Sequence, residues 1–275
     1  MPGSWLKPLY PFYELLHYKA VIVRNKAVRL FHRRTDPVFL FILCPPFSGS
    51  TLLGELLSTS ANVSTNNTLG TREGQQLPEV KALMWKVKNK YDPSVAFDWS
   101  KIKAHWLNYW DVTRSVLLEK SPPNIAHAAA IGKHFYPIRF IALTRNPYAL
   151  CESTIRRAER GAAVEPIAQF VIHCLRLQKQ NLETLENIVY ISYEELTRHP
   201  LQVKEKLIRF LPAFGDIRMS GIFKGHNFDG SRREIQNMNM KNISRLTGNE
   251  LSTINNVFRQ NKDVLDYFNY TILPD

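Results

Sequence analysis

The strongest constraint on the fold is an uninterrupted apolar run, Val38 to Cys44, which opens directly into a loop of small residues. The run is too short for a helix and rich in aromatic residues, which favours a strand buried on both faces, as in parallel sheets. After the loop, Leu52 to Ser58 follow helical spacing. A strand, a short loop and a helix in this order form the geometry that binds a phosphate group at a helix N-terminus.

Further strands and helices alternate along the chain. Strands are predicted at Ser115–Glu119, Arg139–Thr144 and Ile188–Ser192, and helices at 78–89, 124–133, 147–160, 164–184 and 201–210. This alternation predicts a three-layer α/β/α fold with a central parallel sheet and a phosphate-binding loop, similar to nucleotide kinases. Residues 86–114 are rich in Trp and Lys, and they fit either an insertion that shapes a substrate pocket or a surface helix pair anchored by Trp side chains.

A length of 275 residues fits one large domain, which we place at residues 37–275. Residues 1–36 are predicted to form a basic helical segment that packs on this domain. Within it, residues 14–34 contain almost no acidic side chains, and their C-terminal part carries five basic ones: Arg24, Lys26, Arg29, Arg33 and Arg34. Such a helix either packs on the domain with a solvated basic face or makes peripheral contact with a membrane.

The charge balance points to an anionic partner. With 36 Lys and Arg against 24 Asp and Glu, the net charge is +12, which fits nucleic acid, an anionic membrane or a phosphorylated small molecule. No apolar run approaches the roughly 20 residues that span a bilayer, and no signal-peptide pattern is visible. Cys44, Cys151 and Cys174 lack metal-ligand spacing and are expected to be small buried side chains. We therefore expect a soluble cytoplasmic protein.

The loop after the first strand has the residues of a phosphate site. Phe47 to Thr51 offer backbone amides, Gly49 permits close approach of a ligand, and Ser48, Ser50 and Thr51 add hydroxyl donors. A simple helix N-cap is the alternative interpretation. Nucleotide triphosphatases need Lys after the loop glycine, and this chain has Ser50. No predicted strand ends in an Asp that could bind Mg²⁺, so we expect a phosphate bound without metal.

A second anion site is predicted where the strand Arg139–Thr144 ends. Arg145 follows that strand, Asn146 and Pro147 begin the next helix, and Ser153 and Arg157 share one face of it. Arg145, Ser153 and Arg157 could together bind a dianionic phosphate through charge-assisted hydrogen bonds. Two anion sites without a magnesium site suggest a nucleotide phosphorylated at both ends of its ribose, and they remove nucleic acid as the leading partner.

Three segments of the chain resemble a known family. The loop PPFSGSTLL, the strand-end segment RNPYALCES and the strand ISYEEL are similar to those of sulfotransferases that use 3′-phosphoadenosine 5′-phosphosulfate. The closest resemblance is to the protein-tyrosine sulfotransferase type and related bacterial enzymes, over roughly residues 38–250. It implies transfer of a sulfuryl group to an acceptor hydroxyl by in-line displacement, with 3′,5′-adenosine bisphosphate as product and no metal.

The resemblance also implies roles for individual residues. Phe47, Ser48, Gly49, Ser50 and Thr51 would bind the 5′ end of the nucleotide. Arg145, Ser153 and Arg157 would bind its 3′-phosphate, with Tyr193 beside the nucleotide. The segment TREGQQLP places Glu73 at the position of the catalytic base, and Lys120 would stabilise the bridging oxygen. A C-terminal loop would supply the Ser231 hydroxyl near the sulfate, and Lys241 and Arg245 are weaker candidates for the 3′-phosphate.

The chain departs from the family pattern at two positions. Phe47 stands where the family's loop has Lys or Arg, and Gln75 stands where the family has Arg beside the base. Glu119 and His127 are therefore kept as alternative bases. Two other functions stay open: a phosphate-loop kinase, and a non-catalytic protein that binds an anionic ligand or a membrane through a vestigial loop. The sequence leaves open the acceptor and the oligomeric state.

Overall fold

The computed structural model describes residues 10–31, 36–158, 161–221, 223–224 and 232–275. Its centre is a five-stranded parallel sheet with the order β2-β3-β1-β4-β5. The strands of this sheet are β1 (Val38–Leu43), β2 (Val63–Thr65), β3 (Val116–Glu119), β4 (Ile138–Thr144) and β5 (Ile188–Ser192). A short antiparallel pair, β6 (Phe223–Lys224) and β7 (Arg232–Arg233), lies outside it.

Helices cover the sheet and extend the domain at both ends of the chain. They are α1 (Tyr10–Phe31), α2 (Ser50–Leu57), α3 (Trp99–Tyr109), α4 (Ala128–His134), α5 (Pro147–Ile155), α6 (Val164–Thr184), α7 (Tyr193–Arg198), α8 (Pro200–Phe210), α9 (Asn239–Ile243), α10 (Gly248–Arg259) and α11 (Lys262–Tyr267). The prediction of a central parallel sheet between helical layers is confirmed.

Strand β1 is the middle of the sheet because its side chains are apolar on both faces. Phe39, Phe41 and Leu43 pack into one core cluster, and Leu40 and Ile42 pack into another on the opposite face. Leu40 to Leu43 are completely buried. Alternation of side chains along the strand therefore divides one uninterrupted apolar run between two cores.

Two of the predicted helices are not continuous helices in the structure, so these two predictions are wrong. Residues 78–89 contain a single π-helical turn, Lys81–Trp85, in place of a continuous helix. Residues 124–133 are divided between a 3₁₀ turn, Pro122–Ala126, and α4, because His127 leaves the helical conformation and its side chain hydrogen-bonds Lys90. At His127 a contact with a segment distant in the chain accompanies the break in helical spacing.

The Trp-rich stretch forms one helix, α3, and not a helix pair. Trp99, Trp106 and Trp110 are buried in the core, whereas Trp85 is exposed. Helix α1 packs against α3, and no helix among the described residues is long and apolar enough to cross a membrane.

Because the sheet is parallel, the carboxyl ends of its strands meet at one edge. The loop of residues 44–49 follows β1, Lys120 follows β3, Arg145 follows β4 and Tyr193 follows β5. The fold therefore brings four segments of the predicted site together at this edge.

Candidate active site

The loop between β1 and α2 curls through two residues with positive φ, Phe47 at 63° and Gly49 at 89°. The first hydrogen bond of α2 runs from Leu53 N to Gly49 O, so the preceding amides lie outside the helix's own ladder. The Ser48 hydroxyl oxygen is buried and has no hydrogen-bonding partner among the described residues. The loop thus presents the donors that an anion at a helix N-terminus requires.

Gly49 is required by its contact with Tyr193. A Cβ atom on Gly49 would lie 2.5 Å from Tyr193 Cδ2, which is closer than two carbon atoms can approach. The Tyr193 ring cannot move away easily, because its hydroxyl donates to Gln236 O at 2.9 Å and accepts from Met238 N at 3.2 Å. The Tyr193 ring therefore packs directly against the phosphate loop at the end of β5.

Arg145 joins the loop to the rest of the site. Its Nη1 donates to Phe47 O and its Nε donates to Asn239 Oδ1, both at 2.8 Å, and its guanidinium lies 4.4 Å from the centre of the Tyr193 ring. Nη2 is buried without a hydrogen-bonding partner in the described part of the chain. Burial lowers the pKa of Arg145, yet a guanidinium stays charged at neutral pH. A buried cation with a free N–H group is suited to an anionic ligand.

The other residues predicted for the second anion site differ in their surroundings. Ser153 Oγ accepts a hydrogen bond from Asn242 Nδ2 at 2.9 Å, and the exposed Arg157 guanidinium lies 6.0 Å from the centre of the Phe47 ring. Arg245 Nη1 lies 3.4 Å from the buried carboxylate of Glu152. Of the remaining residues predicted for the nucleotide site, Lys241 is exposed on α9 and Ser231 lies outside the described residues.

Glu73 and Lys120 form the second half of the site. Lys120 Nζ donates to Thr51 Oγ1 at 3.0 Å and lies 3.7 Å from Glu73 Oε1, and both charged side chains are nearly buried. Gln75 Nε2 donates to Glu73 Oε2 at 2.6 Å. One oxygen of the Glu73 carboxylate therefore faces the Lys120 ammonium, and the other accepts a hydrogen bond from the Gln75 amide. Lys120 in turn contacts Thr51 at the end of the phosphate loop.

Glu119 anchors the segment that carries Glu73. This fully buried carboxylate accepts hydrogen bonds from Gly74 N at 2.8 Å, Ser121 N at 2.6 Å, and Ser121 Oγ and Asn124 Nδ2 at 2.5 Å. Burial raises the pKa of Glu119, and these hydrogen bonds oppose that rise. Four donors occupy its oxygens, which fits a positioning role better than that of a base.

His127, the other alternative base, is also engaged elsewhere. Its Nε2 hydrogen-bonds Lys90 O at 2.9 Å, and its ring lies 4.4 Å from that of Phe97. Burial lowers the pKa of His127. The ring therefore helps to hold the 90–97 segment against the domain.

Several polar residues of the site were missed by sequence reasoning. Asn67 Nδ2 donates to Glu73 O at 2.9 Å, and Glu194 Oε1 accepts from Asn146 N at 2.9 Å. Asn239 accepts from Arg145, and Asn242 donates to Ser153. Asn67 lies six residues from Glu73, whereas the partners of the other three are distant in the chain, so no local spacing identifies those three. The only sequence signal is the concentration of asparagine between residues 237 and 242.

A cavity of about 550 Å³ is lined by Glu194, Asn239 and Tyr270. Another, of about 520 Å³, is lined by Lys90, Tyr91 and His173. Among the described residues, no cluster of His, Cys, Asp or Glu side chains could hold a metal ion.

The family described as "Sulfotransferase family" matches residues 37–213, which is more than half of the chain. No curated protein matches the sequence at a significant level. The region matched contains the phosphate loop, Glu73, Lys120 and the second anion site from Arg145 to Arg157.

Solved sulfotransferases share the fold at low sequence identity. The sulfotransferase domain from the curacin biosynthetic pathway has a TM-score of 0.50 at 17% identity, with coverage of 88% of this chain and 100% of that one. The sulfotransferase domain from the Synechococcus PCC 7002 olefin synthase has a TM-score of 0.50 at 19% identity, with coverage of 89% of this chain and 98% of that one. The sulfotransferase STF1 from Mycobacterium tuberculosis H37Rv has a TM-score of 0.55 at 9% identity, with coverage of 90% of this chain and 81% of that one.

The contact between Gly49 and Tyr193 predicts the effect of Gly49→Ala. The new methyl group would clash with the ring and the residue would keep a positive φ, so we expect a loss of about 1–3 kcal/mol in the free energy of unfolding. Chemical denaturation measures this change. The matched control is Gly132→Ala in α4, where no atom lies within 4 Å and φ is helical, and which should be neutral or stabilising. Equal effects of the two substitutions would contradict the assigned contact.

Proposed function

Because the chain belongs to the sulfotransferase family, we propose that it transfers a sulfuryl group from 3′-phosphoadenosine 5′-phosphosulfate to the hydroxyl group of an acceptor. The observation that carries the proposal is a pair of buried polar groups that have no hydrogen-bonding partner in the described part of the chain, Ser48 Oγ in the phosphate loop and Arg145 Nη2 beside it. Buried donors are rarely left unpaired in native proteins, so both fit a ligand with phosphate oxygens.

The residues of the site fit the two ends of this nucleotide. The loop from Ser48 to Thr51 would bind the 5′-phosphosulfate through amides and hydroxyl groups at the start of α2. Arg145 would bind the 3′-phosphate, with Ser153 and Arg157 on the neighbouring helix. Tyr193, which packs on Gly49 and Arg145, would form the wall beside the nucleoside.

When bound, the nucleotide supplies an activated sulfuryl group and leaves as 3′,5′-adenosine bisphosphate. The protein's contribution is a base and positive charge. Glu73 would accept the proton of the acceptor hydroxyl, since Gln75 orients its carboxylate and the Lys120 ammonium lies 3.7 Å from Oε1. Lys120, held on Thr51 at the end of the loop, would also place positive charge where the leaving group develops negative charge.

Phe47 changes the distribution of charge around the loop. In place of a cation at this position, the loop has an aromatic ring near Arg157 and a carbonyl bound to Arg145. Lys120 and Arg145 would therefore supply most of the positive charge near the nucleotide.

Nucleotide affinity tests the first part of the proposal. Charge-assisted hydrogen bonds contribute about 1.5–3 kcal/mol each, so 3′,5′-adenosine bisphosphate should bind about ten- to a hundredfold more tightly than adenosine 5′-monophosphate in isothermal titration calorimetry. Arg145→Lys should remove most of this preference, because Lys lacks the fork that contacts Phe47, Asn239 and the ligand. The exposed Arg209 provides the control substitution, Arg209→Lys. Equal affinity for both nucleotides, or a preference for ATP with Mg²⁺, would contradict the proposal.

Turnover tests the role of Glu73. Glu73→Gln keeps an acceptor for the Gln75 amide but removes the base, so formation of 3′,5′-adenosine bisphosphate with a panel of phenols, sugars and alcohols should fall by a factor of about 10² or more. Affinity for the product nucleotide should stay within about twofold, because the base does not bind it. Glu186→Gln, on an exposed carboxylate, is the control. Undiminished turnover of the Glu73 variant would remove it as the base.

A further inference from the structure

Helix α1 presents an apolar stripe to solvent. Leu16, Ala20, Val23, Ala27 and Leu30 follow one another at spacings of four, three, four and three residues, and all are exposed. Val23 is 67% exposed and Leu30 is 81% exposed. This spacing places them in one line along the helix, which we call the outer stripe.

The opposite face of α1 fixes the helix in this orientation. Asn25 is buried and its Nδ2 donates to Asn108 O at 3.2 Å and Tyr109 O at 2.8 Å. The buried Tyr18 donates to Asn67 Oδ1 at 3.2 Å. Val21 and Ile22 on this face also pack against the core. The helix is therefore apolar on two sides, and the outer stripe is the apolar side that stays at the surface.

Cations lie on both sides of the outer stripe. Lys19 and Lys26, seven residues apart, border one side. Arg24 borders the other side, where 63% of its side chain is exposed and its Nη2 lies 3.3 Å from Asp111 Oδ2. Glu14 is the single acidic residue of α1. In a helix pair these positions would face their counterparts, so a second copy of α1 would bring cation against cation. A surface that is apolar inside and anionic at its boundary matches both features of the helix.

We propose that the outer stripe of α1 docks this protein on an anionic lipid bilayer. The helix would lie in the plane of the interface, with Leu16, Val23 and Leu30 among the upper acyl chains and Lys19, Lys26 and Arg24 at the anionic headgroups. With 22 residues, α1 offers a docking edge of roughly 33 Å. This inference is independent of the proposed sulfuryl transfer, because none of these residues belongs to the active site.

Vesicle sedimentation of the full chain tests the proposal. Each basic residue near an anionic surface strengthens binding about fivefold, so vesicles of phosphatidylcholine mixed with phosphatidylserine should bind the protein at least about tenfold more tightly than phosphatidylcholine alone. A salt concentration of about 1 M should reduce that difference, because it shortens the Debye length to about 3 Å. Equal binding to both vesicles, or none, would overturn the proposal.

Two sets of substitutions locate the contact. The triple variant Leu16→Ser, Val23→Ser and Leu30→Ser, and the double variant Lys19→Glu and Lys26→Glu, should each reduce binding to the mixed vesicles at least about tenfold. Leu201→Ser, at an apolar residue of α8 that is 69% exposed, is the matched control and should bind as the wild type. An equal loss in the control would overturn the proposal.

Two measurements separate docking from misfolding and from self-association. Fluorescence of an environment-sensitive thiol label on V23C should shift to shorter wavelength when mixed vesicles are added, and the same label on L201C should not shift. The natural cysteines are buried, which favours selective labelling. Absence of a shift on V23C would overturn the proposal even if the triple variant fails to fold. Light scattering that shows a dimer dissociated by the triple substitution would assign the outer stripe to a second copy and would also overturn it.

Discussion

The buried guanidinium of Arg145 is the interaction on which the arrangement of the site depends. It joins the end of β4 to the phosphate loop through Phe47 O, to α9 through Asn239 and to the start of α7 through the Tyr193 ring. Removing a cation from water is costly unless hydrogen bonds compensate for the lost hydration. The protein supplies only part of this compensation, because Nη2 is left without a partner in the described residues. An anionic ligand would complete it, which links stability of the loop to nucleotide binding.

In the part of the site formed by Glu73 and Lys120, uncharged amide groups position the charged side chains. Gln75 and Asn67 hold the side chain and backbone of Glu73, and Glu119 binds the next backbone amide. Lys120 then connects the carboxylate to Thr51 in the loop. Gln75 stands where the resemblance would place an arginine beside the base, so a neutral amide and the Lys120 ammonium are the groups that contact the Glu73 carboxylate from these two positions.

The parts of the structure that depend on local pattern could be predicted from the sequence. The apolar run of β1, the loop after it and the Asn146-Pro147 start of α5 were identified, and helix 164–184 has the predicted bounds.

The parts that depend on contacts between distant segments could not be predicted. Asn239 lies 94 residues from Arg145 in the chain, and Glu119 lies 45 residues from Gly74. The basic character of α1 was evident too, but not which of its apolar residues stay exposed, because the orientation of the helix depends on contacts such as those of Asn25 with carbonyl groups of α3. The closer resemblance to the protein-tyrosine type stays a prediction.

The most direct test of the nucleotide site is a crystal structure of the protein with 3′,5′-adenosine bisphosphate. We expect Arg145 Nη2 to lie within about 2.7–2.9 Å of an oxygen of the 3′-phosphate, the usual range for charge-assisted hydrogen bonds. We also expect a hydrogen bond from Ser48 Oγ to the 5′-phosphate, and the adenosine to lie against Tyr193. A nucleotide bound away from the loop, with Arg145 Nη2 and Ser48 Oγ still without a phosphate contact, would contradict this expectation.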